Sequence, residues 1–273
     1  QETKATSNSS NDLGFRFLDV TKSGNSYSFT LDITDIPDYA TDDTTAIVLG
    51  LVKDYVKVES KGNFVVYAPA VYANEALDLS QQLENAYGTF RGSDLGFSYE
   101  RRSKWPVEVT VRKLPSGTYG YFVPSKWGNN SGYMEFNENY LSDQTEMALT
   151  AGHEFFHLVQ ALYDPRYGFI KAVSASDYYW VEEAASVWAE GLFSGEPDYY
   201  SPIRNGHQMA PFRGMLSGAE ENAQHHGYGM SAFIKYMADN YGKDKLAKVF
   251  EHEFSGSSNM LEGFHNAIGD QMS

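Results

Sequence analysis

The chain has no cysteine among its 273 residues, and this one absence removes disulfides, thiolate metal ligands and cysteine nucleophiles together. Any metal it holds must be bound by histidine and carboxylate. It also has no apolar run near the ~18 to 20 residues that a membrane-spanning helix needs. Positive charge is scarce, with 21 Lys and Arg against 36 Asp and Glu and a net charge of −15. That balance argues against nucleic acid or an anionic membrane as partner, and suits solubility. No internal repeat is present, and low complexity is confined to the Ser-, Asn- and Thr-rich start, residues 1–11. This start has neither a charged n-region nor an apolar h-region, and is expected to be a flexible leader left after removal of a signal peptide or lipoprotein anchor. The corresponding expectation is a secreted, periplasmic or cell-surface protein. What the chain has in plenty is apolar and aromatic material: 42% hydrophobic residues, 20 Tyr and 17 Phe, ample for a substantial core.

The most informative stretch is His153-Glu154-Phe155-Phe156-His157. Two histidines four residues apart on a helix share a face at roughly 6 Å, so both imidazoles can reach one ion. In the H-E-x-x-H arrangement the histidines bind zinc and the glutamate serves as general base towards water. The surroundings read as one helix from Gln144 to Tyr163. Asp143 with Glu146 forms a D-x-x-E capping box, Asp164-Pro165 supplies the stop, and Met147, Ala151, Phe155, Leu158 and Leu162 recur at helical spacing. Such a stripe would fix the helix on a core while the histidines look into a cleft.

The rest of the chain arranges itself around that helix. Alternation from Phe15 to Ile36 about Lys22-Ser23-Gly24-Asn25 predicts a β-hairpin, and Ile47 to Val58 is ambiguous between strand and helix. Residues 12–60 thus form a β-rich N-terminal segment, either a subdomain or added strands of the main sheet. Residues 61–165 give a strand at Phe64 to Tyr67, a helix from Asn74 to Tyr87, and strands at Val107 to Val111, Tyr119 to Val123 and Gly132 to Asn137, followed by the H-E-x-x-H helix. Residues 166–273 are mostly helical, with helices at Tyr178 to Leu192 behind an Asp177 N-cap, Gly229 to Asn240, Lys243 to Phe254 and Met260 to Ile268. The fold class is α+β.

A hydrolytic zinc site usually has three protein ligands and one open position. The richest source of a third is the segment Trp180 to Glu190, where Glu182 and Glu183 point roughly 100° apart on a helix, so only one can face the ion. Here the chain resembles the gluzincins, zinc peptidases in which a glutamate on a second helix completes the H-E-x-x-H site. Within them it is most similar to bacterial metalloproteases that pair H-E-x-F-H-x-x-Q with a later W-x-E-G-x-A-x-W. His153 to Gln160 matches the first motif throughout. Glu183-Ala184-Ala185-Ser186-Val187-Trp188 matches the second, with Ala184 for Gly and Ser186 for Ala. The resemblance covers Phe64 to Gly242.

It implies a zincin-like fold, with a mixed N-terminal sheet, the active helix against it and a helical C-terminal half. It implies Zn2+ held by His153, His157 and Glu183, Glu154 as general base, and a protein or peptide substrate. It implies an oxyanion donor from the helical half, Tyr228 first and His226 second, in the run His225-His226-Gly227-Tyr228-Gly229 just before a helix. It implies too that the edge strand ahead of the active helix, Gly132 to Asn137, pairs with substrate backbone. Glu190 is the best candidate to brace a ligand histidine, with Glu182 the alternative. His207, His252 and His265 read as surface residues. The expected activity is that of a zinc endopeptidase. A zinc aminopeptidase is the alternative, from a faint likeness of Gly132 to Asn137 to the amine-gripping G-x-M-E-N motif, and a non-catalytic peptide-binding protein on the same scaffold is a third reading.

Overall fold

The computed structural model describes residues 14–23, 26–35, 55–59, 62–124, 132–164, 168–202, 220–254 and 260–269, with side chains 14–23, 26–35, 55, 59, 168–178, 220–223 and 254 outside that description. The leader, residues 47–54, the hairpin turn Gly24-Asn25, His207 and the stop residue Pro165 all lie outside the described residues. The chain divides into two compact units, Gln1–Leu51 and Val52–Ser273. In the first, β1 (Gly14–Ser23) pairs antiparallel with β2 (Ser26–Asp35), Ser23 standing opposite Ser26, with a register irregularity between Leu18 and Thr21. This is the expected hairpin.

The second unit is built on a five-stranded mixed sheet. Its strands are β3 (Tyr55–Glu59), β4 (Phe64–Pro69), β5 (Val107–Arg112), β6 (Gly120–Val123) and β7 (Tyr133–Asn137), in the spatial order β3-β4-β5-β7-β6. The class is α+β. The strand before residue 60 therefore belongs to the main sheet, antiparallel to β4. The parallel pairs β4–β5 and β5–β7 need long crossovers, and the first is made by α1 (Ala73–Arg91). The stretch read from sequence as the edge strand is an interior one. The chain leaves β5, runs out to the sheet edge as β6, and turns back so that β7 slots between β5 and β6. Met134 and Phe136 of β7 are fully buried, as an interior strand requires, whereas β6 is four residues long with Tyr121 exposed, a typical protected edge.

Among the described residues five further helices follow: α2 (Gln144–Tyr163), α3 (Gly168–Glu190), α4 (Glu220–Tyr241), α5 (Asp244–Phe254) and α6 (Met260–Ile268). Helices α3 and α4 both begin earlier than their sequence signals suggested. Asp177 lies inside α3, and the His225 to Gly229 run lies inside α4, so neither marks a helix start. Gly242, at φ 106°, ends α4 and its N–H returns to the Ala238 carbonyl at 3.1 Å, a turn that a side chain would strain. Among the described residues no helix is long and apolar enough to cross a membrane.

Helix α2 is held on its inner face by the two aromatic residues of its own motif. Phe155 sits among Phe64 (5.3 Å between ring centroids), Tyr99 (5.8 Å) and Phe90 (6.1 Å). Phe156 stacks on Phe90 at 4.4 Å and meets Phe97 at 5.2 Å. Both rings are completely buried, and each such aromatic pair contributes about 0.5–1.5 kcal/mol beyond area burial. The predicted stripe of Met147, Ala151, Leu158 and Leu162 is buried beside them. Asp143 caps the helix, accepting the N–H groups of Thr145 (3.1 Å) and Glu146 (3.0 Å). The reciprocal half of the capping box is not made, since the Asp143 N–H donates to the Tyr140 carbonyl and Glu146 turns into a cleft.

Candidate metal centre

With the Phe155 and Phe156 face buried, helical periodicity turns His153 and His157 towards a cleft of about 870 Å³ between β6, α2, α3 and α4. Their Nε2 atoms lie 3.2 Å apart. Glu183 comes in from α3, its Oε2 3.7 Å from His153 Nε2 and its Oε1 3.7 Å from His157 Nε2. His153, His157 and Glu183 thus converge on one point, while Glu182 is directed to a separate carboxylate group with Asp164 and Glu253. It is how α3 lies across α2 that brings Glu183, rather than the adjacent Glu182, to the two histidines.

The fit of this triad to a metal can be judged from its hydrogen bonds. His153 Nδ1 is 2.9 Å from Glu190 Oε1, and His157 Nδ1 is 2.9 Å from Gln160 Oε1. Both partners are acceptors, so both Nδ1 atoms carry hydrogen and each Nε2 offers a lone pair to the cleft. Two facing lone pairs repel unless a cation lies between them. A separation of 3.2 Å is what two metal–nitrogen bonds of about 2.0–2.1 Å subtend at roughly 100°, near tetrahedral. Glu183 is 3% exposed and its Oε2 has no hydrogen-bond partner, a costly state for a buried carboxylate oxygen that a metal would relieve. The donor set of two imidazoles and a carboxylate suits zinc.

The electrostatics point the same way. Burial opposes charge on His153, but the carboxylates of Glu183 and Glu190 outweigh it and hold the imidazole well above the ordinary histidine range. Burial would likewise raise Glu183, yet His157, His153 and a hydrogen bond from Tyr179 bring it below the usual carboxylate range. Glu154, also buried, is pushed up chiefly by desolvation, opposed by the two histidines and by the Phe122 N–H, which donates to its Oε2 at 2.7 Å.

Three glycines make these approaches possible. A Cβ on Gly120 of β6 would stand 2.9 Å from Thr150 Cγ2 and 3.0 Å from Glu154 Cγ, so its absence lets the edge strand lie against α2 and bring Phe122 to Glu154. A Cβ on Gly152 would meet the ring of Phe193 at 2.2 Å, and the Phe193 N–H closes the turn after Glu190 by donating to its carbonyl at 3.0 Å. A Cβ on Gly227 would come within 2.6 Å of both Glu183 Cβ and the Trp180 carbonyl, so Gly227 lets α4 touch α3 at Glu183 itself.

The expected oxyanion donors separate. Tyr228 lines the cleft near Glu183 and Glu154, its hydroxyl pushed up mainly by burial. His226 does not reach it: the ring is 6% exposed and packs on Trp180 at 5.5 Å, with its charged form disfavoured by burial. Residues two apart on a helix point roughly 200° apart, so placing Tyr228 in the cleft turns His226 away. The amine-gripping reading of Gly132 to Asn137 loses its acid, because Glu135 is ion-paired with Arg112 and does not line the cleft. Glu190 braces His153 as anticipated, itself met by the Tyr199 hydroxyl at 3.3 Å. Among nearby tyrosines, Tyr179 lines the cleft, whereas Tyr163 is buried and its hydroxyl accepts the Ser98 N–H at 2.8 Å. His252 is half-buried beside Asn266, and His265 is exposed.

Sequence reasoning assigned no role to Gln160, Tyr199 or Phe122. Gln160 stood in the matched motif, and its position three residues after His157 was the available signal; Phe122 acts through its backbone and leaves none. Compared with known proteins, the chain matches no family model and no curated protein.

Proposed function

We propose that this protein is a zinc-dependent endopeptidase of gluzincin type on a zincin-like scaffold, with His153, His157 and Glu183 as metal ligands. The observation that carries the reading is the convergence of two imidazole lone pairs and a partnerless buried carboxylate oxygen on one point in a cleft, with Glu154 beside it. Bound there, zinc would polarise a scissile carbonyl and lower the pKa of a water towards ~7.

The chain's own residues do the rest. The Phe122 N–H holds one oxygen of Glu154 and leaves the other to take a proton from water. Burial raises the basicity of that carboxylate, which then carries the proton to the leaving amine. Tyr228, on the opposite wall, is the donor for the developing oxyanion. The outer side of β6, at the rim of the cleft, is where a substrate backbone would add as a strand. The pairing of Glu135 with Arg112 favours an endopeptidase over an aminopeptidase, since no carboxylate from that strand reaches the cleft to hold a free amine.

The test is zinc content of the purified protein together with cleavage of casein and of end-blocked peptides, with and without chelator. One equivalent of zinc and chelator-sensitive cutting of blocked substrates is the expected result. Failure to take up zinc from excess overturns the metal centre, and stoichiometric zinc with no cutting of any peptide overturns the peptidase.

A further inference from the structure

Gln160 is 1% exposed, one turn after His157, and every polar atom of its side chain is engaged. Its Nε2 donates to the backbone carbonyl of Glu182 at 2.9 Å and to Ser186 Oγ at 3.3 Å. A backbone carbonyl can only accept, so the amide cannot be turned over without setting two oxygens 2.9 Å apart. Its oxygen therefore faces His157, 2.9 Å from Nδ1. Ser186 Oγ stands 3.3 Å from the same Nδ1 and, as a hydroxyl, can accept from it. The Glu182 carbonyl and the Gln160 amide, on two helices, thus dictate one tautomer, with hydrogen on Nδ1 and the Nε2 lone pair directed at His153 and Glu183.

We propose that Gln160 is a positioning residue for the metal ligands, latching the second histidine on α2 to the residue of α3 that immediately precedes the third ligand. The inference rests on the zinc reading above. One arm fixes the ring and tautomer of His157, and the other fixes the backbone at Glu182 and so the register at which Glu183 arrives. Two ligands on different helices are set by one planar amide. The backing is also neutral where that of His153 is a carboxylate, so the latch adds no further negative charge to a site that already holds Glu154, Glu183 and Glu190.

The test uses the full chain, wild type and Gln160→Met, which keeps the shape of the side chain and removes donor and acceptor. Two quantities are read: the ring 15N shifts of His157 in zinc-free protein, and zinc affinity by competition with a chromophoric chelator. Wild type is expected to show His157 protonated at Nδ1, the tautomer that free imidazole disfavours. The variant is expected to lose that tautomer at His157 alone and to bind zinc about 10- to 100-fold more weakly, with the hydrogen bond of His153 to Glu190 undisturbed. A variant that keeps the Nδ1 tautomer and binds zinc within about twofold of wild type overturns the proposal. Should Gln160→Met fail to fold, the wild-type spectrum still decides, because a zinc-free His157 protonated only at Nε2 contradicts the latch. If wild type takes up no zinc, the metal reading falls on its own, and the tautomer readings still decide whether Gln160 sets His157.

Discussion

The same substitution, glycine to alanine, is expected to act in opposite directions at two helical sites, Gly88 and Gly227. Gly88 lies near the C-terminal end of α1, with open space where a Cβ would be. Alanine there gains the ordinary helix preference, about 0.5–1 kcal/mol, partly by restricting the unfolded chain. Gly227 sits where α4 crosses α3, and its Cβ would lie 2.6 Å from the Trp180 carbonyl oxygen and 2.6 Å from Glu183 Cβ. Ordinary contacts between such atoms are about 3.5–4.0 Å, so the helices must part by about 1 Å. One clashing atom is backbone and the other a Cβ, so no rotamer change relieves them. Overpacking of this kind costs about 1–3 kcal/mol, and the helix preference returns at most about 1. Taken at mid-range, about 2 less about 1, the net loss is about 1 kcal/mol, which for a unit of this size lowers Tm by about 2–4 °C, while Gly88→Ala raises it by about 1–4 °C. Thermal unfolding of both variants by circular dichroism, with zinc affinity in parallel, checks this. Because Gly227 touches Glu183, its variant should also bind zinc more weakly, and Gly88→Ala should not. A Gly227→Ala protein as stable as wild type with unchanged zinc affinity would refute the crossing of α4 on α3 and the placement of Tyr228 that follows from it.

Other perturbations separate the parts of the site. Glu154→Gln should retain zinc and reduce turnover by at least about 10²-fold, measured on blocked peptides; an active Gln variant would remove Glu154 from the mechanism. The pKa of His153 is raised by Glu183 and Glu190 against its burial, so metal must displace a proton. Zinc binding should then release about one proton at pH values below that raised pKa, and affinity should fall about tenfold per pH unit there, as read by calorimetry in buffers of different ionisation enthalpy; uptake without proton release would contradict it. The same raised pKa means that the charged His153 stabilises the zinc-free fold fully below the ordinary histidine range and that this contribution is lost as pH rises through the folded value. Asp143→Ala removes the acceptor for two N–H groups at the start of α2 and should cost about 1 kcal/mol in chemical denaturation without altering zinc stoichiometry.

The features that could be read from the sequence are those in which a residue's neighbours lie within one or two helical turns or one strand. The meeting of His153 and His157, the Asp143 cap, the burial of Met147, Ala151, Phe155, Leu158 and Leu162, and the hairpin at residues 14–35 all follow from local periodicities of about 3.6 and 2 residues. Where a periodicity was joined to a misplaced boundary it failed. The run His225 to Gly229 was set before a helix when it lies within one, so His226 and Tyr228 were not phased against each other and both were offered to the cleft.

Tertiary structure decided everything that joins distant segments. His153 meets Glu190 across 37 residues, Phe122 meets Glu154 across 32, and Gln160 meets Glu182 across 22. Each depends on the angle and register at which one rigid element lies on another, which glycines 120, 152 and 227 set by the atoms they lack. The place of β7 inside the sheet and of β6 at its edge likewise depends on which partner completes the backbone ladder. An alternating strand carries no mark of that, because its backbone N–H and C=O groups are the same whichever neighbour they bind.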